Sequence, residues 1–160
     1  MIPDKVRAVL DKHGLAVKEF APGSTATSVL AARQLGVAVG QIAKSLLFSG
    51  KDGRFFLVVC PGDRRLSSSK LKAAAGVKSR MASAEEALAA TGFGPGGVCP
   101  FGIDPGIRIF VDAGLSAWPV IYPAAGTDSS GVPMTFEQLV AVTGGTVGDF
   151  LVDGGEGNEG

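Results

Sequence analysis

The chain has 160 residues, 46% of them hydrophobic, and its 15 basic residues balance 15 acidic ones, so the formal charge is zero. That length supports one domain with a core of its own, and the balance excludes a protein that coats DNA or RNA through bulk positive charge. Two cysteines and one histidine make neither a disulfide framework nor a metal-ligand cluster, so no metal and no cofactor are expected.

The apolar runs at residues 42–48 and 55–60 are too short to cross a bilayer, and the first residues lack the basic and then apolar regions of a secretory signal. A cytoplasmic protein with no membrane partner is expected. Ile2, Val6, Val9 and Leu10 recur at helical spacing, which predicts a first helix over residues 3–13 with Gly14 as its stop and His13 at the surface. A short strand is predicted at 15–20, then a turn at 22–25, then a helix over 27–35 capped by Thr25 or Thr27 and stopped by Gly36. Residues 41–48 and 54–60, joined by Ser49-Gly50-Lys51-Asp52-Gly53, predict a β-hairpin.

Within that hairpin, Lys44 shares a face with Ile42, Leu46 and Phe48, because alternate strand residues point the same way. Burying an unpaired ammonium is costly. Either Lys44 runs its stem past the sheet edge or meets a carboxylate, or its charge has a functional use.

Ser67-Ser68-Ser69 caps a short basic helix over 70–75, and a strand follows at 77–81. Ser83 and Glu86 form a capping box opening a helix to Ala90. Strands are predicted at 107–111, with Asp112 at the end, and at 120–125. Thr135 and Gln138 form a second capping box opening a helix to Val142, and residues 146–151 predict a last strand. The domain is assigned to residues 1–152, and the glycine-rich, apolar-free segment 153–160 to a disordered tail. The interleaving of helices and strands implies a single compact α/β domain (α+β-like) with a mixed, curved sheet flanked by helices.

Two loops stand out. Gly96-Gly97-Val98-Cys99-Pro100-Phe101-Gly102 opens its backbone to close approach, and Pro100 fixes one φ angle. Gly126-Thr127-Asp128-Ser129-Ser130-Gly131 is a second polar, glycine-bearing loop. Such loops either punctuate the chain or aim backbone amides at an oxyanion. The segment 64–80 carries Arg64, Arg65, Lys70, Lys72, Lys78 and Arg80 without an acidic residue, which reads as a solvated face or as a phosphate-binding patch. No P-loop, dinucleotide fingerprint or nucleophile elbow is present. Cys99 as a nucleophile would need a base, and nothing in the sequence links His13 to it.

Taken together, these blocks resemble the YbaK and prolyl-tRNA-synthetase-associated editing domains. The resemblance rests on Thr25, the run Gly40-Gln41-Ile42-Ala43-Lys44-Ser45-Leu46-Leu47-Phe48, Gly62-Asp63-Arg64-Arg65, Thr91-Gly92-Phe93, the two loops and Val111-Asp112. It implies a YbaK-like fold and a free-standing aminoacyl-tRNA deacylase that removes a small amino acid from a mischarged tRNA, for instance tRNA(Pro). The implied catalytic residues are Lys44 and the loop residues Gly96, Gly97 and Pro100. Thr25, Ser45, Val98, Cys99, Gly126, Thr127 and Asp128 are implied to line the substrate site. Arg64, Arg65, Lys70 and Lys72 become candidates for holding tRNA outside the pocket. The implied partners are the mischarged acceptor end and an aminoacyl-tRNA synthetase. The alternative is a non-catalytic module of the same fold that binds a tRNA end or a synthetase.

Overall fold

The computed structural model describes residues 1–153, so of the tail expected at 153–160 only Asp153 is described, and it is tied to Lys70, while the rest lies outside the described residues. There are five helices, α1 (Asp4–Lys12), α2 (Ser28–Leu35), α3 (Ser68–Ala75), α4 (Ala84–Thr91) and α5 (Phe136–Thr143), and all but α1 begin where the sequence supplies a hydroxyl cap. The hydroxyls of Thr27, Ser67, Ser83 and Thr135 accept the amides of Leu30, Lys70, Glu86 and Gln138 respectively. Each such cap is worth about 1 kcal/mol. Thr27, not Thr25, caps α2. His13 is exposed at the end of α1.

Strands β1 (Lys18–Glu19), β2 (Ala43–Gly50), β3 (Phe55–Pro61), β4 (Ser79–Met81), β5 (Arg108–Asp112), β6 (Ser130–Gly131) and β7 (Thr146–Gly148) make two sheets. The larger is mixed, in the order β4-β2-β3-β5-β7, and β1 pairs with β6 in the smaller. The predicted hairpin is the antiparallel pair β2 and β3, and β5 lies parallel to β3. Covered on both faces, β3 reads as an unbroken apolar run, with Leu57, Val58, Val59 and Cys60 fully buried. One face packs Leu47, Leu57, Val59 and Val111 against Val6, Leu10, Phe93, Phe101 and Leu139. The other stacks Phe48, Phe56, Phe110 and Phe150 beside Leu71 of α3.

Four strand predictions need correction. Residues 120–125 form no strand: only single bridges join Ile121 to Met134 and Tyr122 to Ile42, because Pro119 and Pro123 limit the ladder amides available. The strand expected at 15–20 shrinks to Lys18–Glu19, since its partner β6 is equally short. Residues 39–41 turn as a 3-10 helix, so β2 starts at Ala43 and runs on to Gly50. The last strand stops at Gly148, after which Leu151 leaves β5 and bridges Leu66.

Two features of this frame position the site. First, β4 pairs only with Phe48, Ser49 and Gly50, which leaves the first half of β2 as a partly open edge. Second, the buried Asp112 accepts the amides of Gly114 and Phe150 at 2.8 Å each, fixing the turn that follows β5 and the return of the chain past β3. Burial raises the pKa of Asp112, against the lowering effect of those two amides. Among the described residues, no helix is long and apolar enough to cross a membrane.

Candidate functional site

The open edge of β2 forms one wall of a pocket of about 280 Å³. Ala43, Lys44, Ser45 and Leu46 supply that wall, the first turns of α2 the opposite one, and Gly96, Val98, Tyr122 and Ser130 close the ends. The lining is small, apolar or hydroxylic, and among the described residues Lys44 is its only charged side chain.

Lys44 resolves the ambiguity left by its apolar face. Its Nζ donates to the carbonyl oxygen of Arg64 at 3.0 Å, across the turn that follows β3, and no carboxylate pairs with it among the described residues. A single neutral acceptor leaves two ammonium protons for a ligand.

Three loops build the remainder of the pocket by docking on one another. Asp128 Oδ1 accepts the amide of Gly23 at 3.1 Å, and its carbonyl oxygen accepts the amide of Thr25 at 2.8 Å. The buried Thr25 Oγ1 accepts the amide of Ser130 at 3.1 Å, while Ser130 Oγ accepts the amide of Ala125 at 3.0 Å. Thr127 Oγ1 lies 2.8 Å from Ser130 Oγ. The glycine-rich loop presses into this network. A Cβ on Gly97 would stand 2.9 Å from the Gly126 carbonyl oxygen and 3.0 Å from Thr127 Cα. Gly96 has φ +79°, and a Cβ there would come within 3.1 Å of Ala26 and Asp128. These glycines therefore permit backbone-on-backbone packing, which no side chain would allow.

The residues expected at the site thus divide into three groups. Thr25, Lys44, Ser45, Gly96 and Val98 meet at the pocket wall. Gly97, Gly126, Thr127 and Asp128 stand behind the wall and hold the loops in register, and Pro100 is buried away from the lining. Cys99 corrects the expectation of a substrate contact: it is fully buried in the main core, and its Sγ donates to the Phe101 carbonyl at 3.7 Å. Alternate residues of an extended segment point opposite ways, so with Val98 at the pocket its neighbour turns inward. Of the loop amides, Gly97 N–H is spent on Gly94, while those of Gly96 and Val98 carry no hydrogen bond among the described residues and stand beside the pocket.

Burial pushes the thiols of both Cys99 and Cys60 up to about 12, so neither is a thiolate at neutral pH. Iodoacetamide at pH 8 should therefore leave both cysteines unmodified in the native protein and alkylate both in denaturant, as read by mass spectrometry. Labelling of native Cys99 would contradict its placement.

The basic segment is divided as well. Lys70 is held by Asp149 at 2.8 Å, Asp153 at 2.6 Å and the Leu151 carbonyl at 2.7 Å. Arg80 pairs with Glu86, whose carboxyl it pulls down to about 2. Arg64 donates to the Val152 carbonyl at 3.2 Å. Arg65 and Lys72 are exposed, with no ion pair among the described residues. The acids that neutralise Lys70 come from beyond residue 148, a distance in sequence that no local charge count detects.

Sequence reasoning missed Ser28, Ala31, Leu35, Tyr122, Ala124 and Ser130 as pocket residues. The helical spacing of Ser28, Ala31 and Leu35 was a signal that one face of α2 looks at a common target. Tyr122 carried none, because its position depends on the bridge to Ile42.

Fold and pocket together define a small α/β domain whose cleft presents one ammonium, free amides and hydroxyls, a set suited to holding a polar group that gains negative charge. The aminoacyl-tRNA editing domain model matches residues 22–142, and the chain belongs to that family. It is 37% identical to the uncharacterized protein YwhH of Bacillus subtilis over 116 residues, 72% of this chain and 74% of that one. It is also 45% identical to the proline--tRNA ligase of Thermosipho africanus over 82 residues, 51% of this chain but 14% of the ligase. A solved structure proposed as a trans-editing enzyme for prolyl tRNA synthetase superposes with TM-score 0.84 at 35% identity, covering 96% of this chain and 100% of that one. The hypothetical protein APE2540 superposes with TM-score 0.86 at 31% identity, covering 93% and 100%.

Proposed function

We propose that this chain is an aminoacyl-tRNA deacylase acting in trans, which hydrolyses the ester joining a small amino acid to the 3′ end of a mischarged tRNA, for example tRNA(Pro). The observation that carries the reading is Lys44, the one charge on a pocket wall otherwise made of backbone, hydroxyls and small apolar groups. An ester is already activated, so its hydrolysis needs positioning and oxyanion stabilisation more than a strong base. In the proposed step a water oxygen attacks the acyl carbon, and the carbonyl electron pair moves to oxygen. The amides of Gly96 and Val98 and the Lys44 ammonium stabilise that oxyanion. The bond to the ribose oxygen then breaks, and the water's proton leaves with the ribose hydroxyl. Among the described residues no Asp, Glu or His lines the pocket, and polar groups of the substrate itself are proposed to help orient the water.

The proposed partners are the mischarged acceptor end and a synthetase of the kind named among the relatives. Arg65 and Lys72 are the proposed phosphate contacts, whereas Lys70 and Arg64 are engaged with the chain after β7. The test is a panel of tRNAs charged with alanine, serine, cysteine and the cognate amino acid. At least one mischarged member should lose its amino acid faster than in buffer, and the cognate one should not. Binding without loss from any member would overturn the reading in favour of a non-catalytic tRNA-end module.

A further inference from the structure

Lys44 takes its bearing from one atom, the carbonyl oxygen of Arg64. That carbonyl lies in the turn at residues 62–67, whose start is tied to the sheet by Gly62 N–H to Ile42 O at 2.8 Å and Arg64 N–H to Pro61 O at 3.2 Å. The rest of the turn is held by the chain that follows β7. Val152 N–H donates to Arg65 O at 2.9 Å and Ser67 N–H to Phe150 O at 2.8 Å, on either side of the antiparallel bridge between Leu66 and Leu151. The Arg64 guanidinium donates to the Val152 carbonyl at 3.2 Å. Phe150 is anchored in turn, through its amide, to the buried Asp112.

Successive carbonyls of an extended chain point to opposite sides. With Arg65 C=O turned to Val152, that of Arg64 is turned the other way, where Lys44 Nζ meets it at 3.0 Å. Lys70 also reaches this segment, but its partners Asp149 and Asp153 are 70% and 88% exposed, and ion pairs so exposed contribute little. Arg64 differs. Its Nε is buried with no hydrogen-bond partner among the described residues, which works against folding, and one bond to a carbonyl leaves little net gain. Stability therefore explains this guanidinium poorly. What it fixes is the carbonyl that holds Lys44.

We propose that Arg64 is a positioning residue for the reaction, and that residues 150–152 act as a strap that aims its carbonyl and, through it, the Lys44 ammonium. The inference rests on the reading of the chain as a deacylase that uses Lys44. It gives Arg64, a tRNA contact on the family resemblance, a different part in the same reaction.

The test uses the full chain. Arg64→Leu keeps an apolar stem and removes the bond to Val152, while Val152→Pro removes the amide given to Arg65. Neither residue lines the pocket. In both variants kcat on a mischarged tRNA should fall about tenfold, part of the 10²-fold that misplacement by about 1 Å can cost. KM should stay within about twofold, because the interaction lost is made in the transition state. Melting should shift by only a few degrees, and Arg64→Lys, which retains a donor, should recover most of kcat. A readout independent of turnover is the Lys44 ammonium resonance in nitrogen-15 spectra, assigned by its absence in Lys44→Met. In both variants it should shift and exchange its protons faster. A raised KM with unchanged kcat would make Arg64 a tRNA contact and overturn the proposal, as would a Lys44 resonance unmoved in both variants. A resonance that moves in both, in a protein whose wild type deacylates no mischarged tRNA, would leave the strap's hold on Lys44 standing and remove the deacylase reading.

Discussion

Replacing Lys44 by alanine should lower deacylation by about 10² to 10³, the range for loss of one group that stabilises a developing oxyanion. The fold should tolerate the change. Lys44 is half-buried and makes one hydrogen bond, to the Arg64 carbonyl, so the loss of stability should stay near 1 kcal/mol. Single-turnover rates on a mischarged tRNA, read beside thermal melting, separate the two effects. Lys44→Met retains the apolar stem and should be equally inactive, since the ammonium and not the packing is at issue. Activity within threefold of the wild type in either variant would remove Lys44 from the mechanism.

Gly97→Ala should give the second large effect, through a different cause. The added methyl meets the Gly126 carbonyl oxygen at 2.9 Å and Thr127 Cα at 3.0 Å, both backbone atoms with no rotamer to yield. Separating the two loops should cost about 1–3 kcal/mol in stability, as overpacking does elsewhere. It also moves the amides of Gly96 and Val98, and misplacement of about 1 Å can cost 10²-fold in rate. The expected result is a lowered Tm together with a kcat that falls more than KM changes. By comparison Cys99→Ala, which empties a small space in the core, should cost about 1–2 kcal/mol but leave the rate on folded protein near the wild type. A rate loss in Cys99→Ala as large as in Gly97→Ala would contradict the assignment of the thiol to the core.

These contrasts show why the glycine-rich loop was half legible. Its openness could be read from Gly96, Gly97 and Pro100, but the surface it opens toward could not. The residue that draws most attention on the page, Cys99, is the one the fold removes from the site, because strand-like alternation gives the pocket to Val98 instead. Lys44 was legible as a misplaced charge, and the family resemblance supplied the role proposed for it. Its actual partner, a backbone carbonyl twenty residues away, depends on how the turn after β3 folds back.

From the sequence alone came the elements whose causes are local. Thr27, Ser67, Ser83 and Thr135 cap helices because a hydroxyl reaches an amide three residues on, whatever the rest of the chain does. The β2–β3 hairpin follows equally from two apolar runs and a glycine-bearing turn. Only the tertiary structure decided the contacts that make a site: Asp128 with Gly23, Thr25 with Ser130, Gly97 against Gly126, and the open edge at Ser45. It also denied a strand to residues 120–125 and gave Lys70 to Asp149 and Asp153. Each of these joins groups far apart in sequence, and their geometry is fixed by how β2, α2 and the loops pack around one core rather than by any residue's neighbours along the chain.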